Sequence, residues 1–183
     1  SFTVCTGDLV ADASWMSEDS VRTWFQLYVN MTSSLPVPVY SLPGNHDVYG
    51  LSNPSASPDS PVYGLGMYVE YLGPPYYSFN YGPYHFIALS PHVVGDRGLT
   101  YTFPDDEVSW LEEDLAHCNS SRIMVFVHEP PVNWADDDNV RRVLEVLREA
   151  NAIVIAGHWH VAASFDYEGL KVVVSPALSA GWW

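Results

Sequence analysis

Residues 152–164 read AIVIAGHWHVAAS, an apolar run that stops at Gly157 and then presents two histidines, His158 and His160, with one tryptophan between them. A short apolar run bounded by a glycine has the pattern of a strand buried on both faces, as in the sheets of α/β proteins. Three further stretches share the arrangement: TVCTGD at 3–8, VYSLPGNHD at 39–47 and MVFVHEP at 124–130. Each is an apolar strand whose carboxyl end delivers side chains able to hold a metal ion. In open α/β sheets ligands bind outside the carboxyl ends of the strands, so the four loops are expected to converge. The expected cluster is Asp8, Asn45, His46, Asp47, His128, His158 and His160. Oxygen and imidazole donors together suit Zn, Mn, Fe or Co better than Ca or Mg alone, and no thiolate joins them to suggest a structural zinc.

The segments between these strands supply the rest of an α/β domain. SWMSEDSVRTWFQLYVNM (14–31) carries Val21, Trp24, Phe25 and Tyr28 at helical spacing. PDDEVSWLEEDLAHC (104–118) opens on a proline and acidic residues, then places Val108, Leu111 and Leu115 on one face. LGMYVEYL (65–72) reads as a short helix after the surface loop 53–61, and Asp136, Asp137 and Asp138 read as the capping end of a helix over 136–150. A hairpin is expected around Gly82-Pro83 and another around Glu168-Gly169, the second making the sheet mixed. Outside the main cluster, His85 and His117 read as ordinary structural histidines, while His92, at a strand end, and Tyr49, just past the GNHD block, are candidates to line the pocket.

Composition narrows the function. The chain has 183 residues, 48% of them hydrophobic, enough for one sizeable core. Seven Lys and Arg against twenty-two Asp and Glu give a formal charge of −15, with Lys171 the single lysine. A nucleic acid duplex would be repelled by such a surface. No apolar run has membrane-spanning length, and two cysteines, Cys5 and Cys118, cannot form a disulfide framework. A serine hydrolase would need GxSxG, which is absent.

Gly7-Asp8, Gly44-Asn45-His46-Asp47, the lone His128 and Gly157-His158-Trp159-His160 resemble, in order, the blocks of the calcineurin-like metallophosphoesterases, whose motifs run DxH, GDxx, GNH(D/E), His and GHxH. The resemblance implies a mixed β-sheet sandwich flanked by helices, four layers in the order α/β/β/α. It implies a centre of two divalent or transition ions (Mn, Fe or Zn), with Asp8 bridging them. Asn45, His128 and His158 would hold one ion and His160 the other. Such a pair acidifies a water and neutralises phosphoryl charge, which this acidic chain could not do alone. His46 would serve the leaving group, oriented by Asp47. The DxH block is absent from the chain, so residues 1–183 are expected to be an N-terminally incomplete catalytic domain, its first strand upstream and its fold continuing C-terminally. The substrate implied is a small-molecule or headgroup phosphate ester, a monoester or a diester. The alternative is the same fold kept as a non-catalytic module for phosphate or protein binding, against which the presence of His46 and Asp47 argues.

Overall fold

The alternation of side chains along the strands decides how the layers stack. In the computed structural model, which describes residues 1–96 and 98–178, the chain order is β1 (Thr3–Cys5), α1 (Glu18–Ser33), β2 (Val39–Ser41), α2 (Gly66–Leu72), β3 (Tyr77–Tyr81), β4 (Tyr84–Ala88), β5 (His92–Gly95) and β6 (Gly98–Tyr101). It continues with α3 (Asp105–His117), β7 (Ile123–Val127), α4 (Asp138–Glu149), β8 (Ile153–Ala156), β9 (Ala163–Tyr167) and β10 (Leu170–Val174).

Six strands form one mixed sheet in the order β3-β4-β7-β8-β10-β9. The inner strands β4, β7, β8 and β10 run parallel, and each edge strand is the antiparallel half of an expected hairpin. The Glu168-Gly169 turn has positive φ at both residues, 51° and 90°, which suits the twist of a two-residue hairpin. Alternate residues of the central strands point to opposite faces. Val125, Val154 and Val172 meet Val108, Leu111, Val143 and Leu147 of α3 and α4 in the largest core.

Phe86, Ala88 and Phe126 face the other way, where Val4 of the parallel β1–β2 pair and the flanking Phe2 and Leu42 cover them. Helices α1 and α2 lie beyond that pair, burying Val21, Phe25, Met67 and Tyr68. Tyr28 and Tyr68 fasten this layer to β2 through the Ser41 hydroxyl and carbonyl, both at 2.7 Å. The four layers are therefore α/β/β/α, as the resemblance implies.

Helix ends follow their sequences. Ser17 caps α1, and Asp137 caps α4 by accepting the amides of Asn139 and Val140 at 3.0 and 3.1 Å. Tyr49, a candidate to line the pocket, is buried in the α1–α2 core. His85 and His117 behave as structural residues, the first bonded to Asp114 and Asn80 and the second to the Glu113 carbonyl. The β5–β6 hairpin is a further element that the sequence reading does not anticipate. Among the described residues, no helix is long and apolar enough to cross a membrane.

Candidate functional site

Four strand ends meet at one place. His128, the residue after β7, is 3% exposed and donates from Nδ1 to the Thr6 carbonyl beyond β1 at 2.6 Å. That bond turns Nε2 toward Asp8, whose Oδ2 stands 3.1 Å away. The approach is not aligned as a hydrogen bond, and Nε2 is a buried polar atom with no hydrogen-bond partner. Asp8 Oδ1 accepts the His46 amide at 3.1 Å, tying the first loop to the second. His158, after β8, brings Nδ1 to 3.0 Å from Asn45 Oδ1, and its ring lies edge-on to His128 with centroids 5.3 Å apart. Asp8, Asn45, His128 and His158 are thus neighbours, while His160, two residues further on, is exposed.

This arrangement fits a metal ion. Two hard oxygens face two imidazole nitrogens, the mixed donor set that transition ions take, and one of those nitrogens is buried and unsatisfied. The Thr6 carbonyl fixes the His128 tautomer, an outer contact typical of ligating histidines. Glu129 belongs to the neighbourhood too, since donor atoms of His128, Glu129 and His158 lie within 4.8 Å of one another.

The backbone is bent to make these contacts. Asp8, His158 and His160 have φ of 54°, 64° and 55°, in the left-handed region that side chains adopt at a cost. Glycines make the room. A Cβ on Gly7 would lie 2.5 Å from His128 Nδ1, and one on Gly44 would strike the Asp8 carboxylate and come within 2.9 Å of His128 Cδ2. At Gly157 the fit is looser, 3.4 Å from the same Nδ1.

Charge is concentrated here among buried and half-buried side chains. Burial would raise the Asp8 carboxyl, but the facing His128 imidazole and the His46 amide hold it below the usual range. Burial likewise works against a charged His128, yet Asp8 pushes its pKa up to about 9. His158 is shifted down by burial, with Glu129 opposing and His128 assisting. A cation held here would displace the proton of His128.

Asp47 does something other than expected. It is fully buried, and Leu9 and Val10 amides donate to its Oδ1 at 2.8 and 3.1 Å while the Gly44 amide donates to its Oδ2 at 2.8 Å. Both oxygens are spent on backbone, so it fixes the two ligand loops rather than the His46 ring. Burial, then Asp8, pushes its carboxyl up to about 7 despite those amides. Asp12 brings a carboxylate toward the His46 ring, with Oδ2 3.9 Å from Nδ1.

His92 is buried against Glu129 at 3.0 Å. Sequence reasoning missed Glu129 and Asp12. The signal for Glu129 was present, a carboxylate directly after a ligand histidine at the end of an apolar strand. Cavities of about 610 and 680 Å³ open elsewhere, beside Met124, Ile153 and Lys171 and beside His85, Asp114 and Cys118.

Fold and site together define a phosphoesterase scaffold. The calcineurin-like phosphoesterase family matches residues 1–162, and the chain belongs to it. It is 25% identical to the serine/threonine-protein phosphatase CPPED1 of Bos taurus over 194 residues, covering 97% of this chain and 58% of that protein. It is 23% identical to a probable cyclic nucleotide phosphodiesterase of Xenorhabdus bovienii, covering 96% of this chain and 70% of the other. The chain therefore spans little more than half of the first relative. Its fold is similar to a purple acid phosphatase from yellow lupin (Lupinus luteus) seeds, with a TM-score of 0.59, 14% identity, and coverage of 100% of this chain and 39% of that one. The family uses divalent metal ions, which the donor set described above suits.

Proposed function

We propose that the protein hydrolyses phosphate esters, monoesters or diesters of small molecules or headgroups, with a site that holds two divalent or transition ions (Mn, Fe or Zn) in the intact molecule. The observation that carries this reading is the convergence of Asp8, Asn45, His128 and His158 at the carboxyl ends of two stacked sheets. In this reading those four residues would hold one ion, and Asp8 and His160 would contribute to the other. When bound, the ions supply Lewis acidity and neutralise phosphoryl charge.

The chain's own residues do the rest. The Thr6 carbonyl keeps the proton of His128 on Nδ1, leaving Nε2 as the donor toward the site. The His46 amide fixes the free oxygen of Asp8, and Asp47 rivets the GD and GNHD loops together through three amides. The His46 side chain is 24% exposed, so an incoming ester can reach its ring. We assign it the proton given to the departing oxygen, with the Asp12 carboxylate 3.9 Å from its Nδ1. The phosphatase and phosphodiesterase names of the two relatives support both ester classes.

The test is turnover of p-nitrophenyl phosphate and bis-p-nitrophenyl phosphate with manganese, iron or zinc supplied. Turnover that chelation abolishes and added metal restores is expected. Metal binding with no turnover of either ester would favour the non-catalytic module.

A further inference from the structure

Glu129 is a buried carboxylate that the mechanism above does not use. It follows His128 at the carboxyl end of β7, and its side chain is fully enclosed. One oxygen accepts from His92 Nε2 at 3.0 Å. The other, Oε2, lies within ion-pair range of the same nitrogen but accepts no hydrogen bond. A buried carboxylate oxygen that accepts no hydrogen bond is costly unless a cation also meets it. The surroundings name where that cation would sit, since a donor atom of Glu129 is within 4.8 Å of donor atoms of both His128 and His158.

The far side of Glu129 is built to hold it still. His92, also enclosed, is fixed on its other ring nitrogen by the Ser90 hydroxyl at 3.0 Å. The Ser90 amide in turn donates to Glu107 at 2.8 Å, and Glu107 is 1% exposed. A line of buried groups thus runs from the first turn of α3 through the β4–β5 connection to the ligand histidines. Ligating carboxylates are held by outer hydrogen bonds of this kind.

We propose that Glu129 is a ligand of the metal centre, alongside His128 and His158, and that His92 is the residue that positions it. The inference rests on the metal-dependent reading above. It adds a negatively charged ligand to the ion held by Asp8, Asn45, His128 and His158, which favours a hard cation such as Mn or Fe over a softer one. A purely structural His92–Glu129 pair would fasten the β5 hairpin to the sheet and leave metal binding unchanged.

Equilibrium dialysis with Mn(II) and the visible spectrum of the Co(II)-loaded protein separate these roles. Glu129→Gln keeps the shape and an acceptor for His92 but removes the charge. It is expected to weaken the tighter site by at least about tenfold and to alter the Co(II) bands. His92→Gln is expected to shift the Co(II) bands with a smaller loss of affinity, and it decides the matter if Glu129→Gln does not fold. Wild-type affinity and an unchanged Co(II) spectrum in the folded variants would overturn the assignment. His158→Ala is the control: if it loses metal while Glu129→Gln does not, the Glu129 inference alone falls. Full metal binding in both would overturn the inference and the metal site on which it rests.

Discussion

Two histidine–carboxylate pairs stand at opposite ends of strand β7, and they are built differently. His85, opposite the first residue of β7, has both ring nitrogens occupied, by Asp114 at 2.6 Å and Asn80 at 2.9 Å, and Ser78 donates to the second Asp114 oxygen at 2.8 Å. Its backbone lies in an ordinary strand. His128, after the last residue of β7, has one nitrogen tied to a carbonyl and the other facing Asp8 without a hydrogen bond. Asp8 itself is in a left-handed conformation. The same two residue types make a closed staple at one end and an open, strained donor pair at the other. A histidine beside a carboxylate is therefore read by what it leaves unsatisfied.

The largest effect should divide the two pairs outright. Asp8→Asn is expected to lower phosphoesterase turnover by more than about a thousandfold while the fold persists, because it weakens a shared ligand. His85→Ala should leave turnover within about twofold and cost about 1–3 kcal/mol of stability through the unpaired Asp114 and Asn80. Steady-state kinetics and urea unfolding of both variants check this. A large activity loss in His85→Ala would break the distinction.

A smaller effect probes the division within the site between holding an ion and serving the leaving group. His46→Ala is expected to reduce kcat by about a hundredfold with metal content unchanged. Elemental analysis beside kinetics gives the answer, and loss of metal with activity would make His46 a ligand.

The smallest effect concerns a closed carboxylate away from the ions. Burial pushes Glu107 up to about 8 from an ordinary 4.5. Between those values the folded state holds a proton that the unfolded chain has released, so stability falls as pH rises through this window. Glu107→Gln should flatten part of the decline in Tm from pH 5 to pH 8. Asp47, held up to about 7, adds its own slope to both proteins, so the difference between them is the measurement. An identical slope in the two proteins would mean that Glu107 does not carry the proton.

Much of this was legible in the chain. Apolar runs ending in glycine and a polar residue marked the strand ends, because a buried strand must stop where polar groups begin. The hairpins followed from Gly82-Pro83 and Glu168-Gly169, and the α4 cap from Asp137. The resemblance of the blocks supplied the layer order.

Long-range pairings were not legible. His92 and Glu129 are 37 residues apart, and nothing local to either announces the other. Asp47 sits beside His46 in sequence, yet adjacent residues in a tight 3₁₀ turn diverge. Its carboxylate turns inward to the amides of residues 9, 10 and 44 while the ring turns out. Tyr49 was drawn into the helical core by an isolated bridge to Gly64, a contact with no sequence signal.

The glycines preceding Asp8, Asn45 and His158 carry a consequence for how such a signature is inherited. The space denied to a side chain at Gly7, at Gly44 and, more loosely, at Gly157 is in each case filled at least in part by the imidazole of His128. Three letters in three separate motifs are in this sense the mould of one ring. Drift at any of them is constrained by a residue that none of those motifs contains. A smaller side chain at position 128 would ease part of the crowding at all three loops, although Gly7 would still be pressed by the backbone of Gly44 and Gly44 by Asp8.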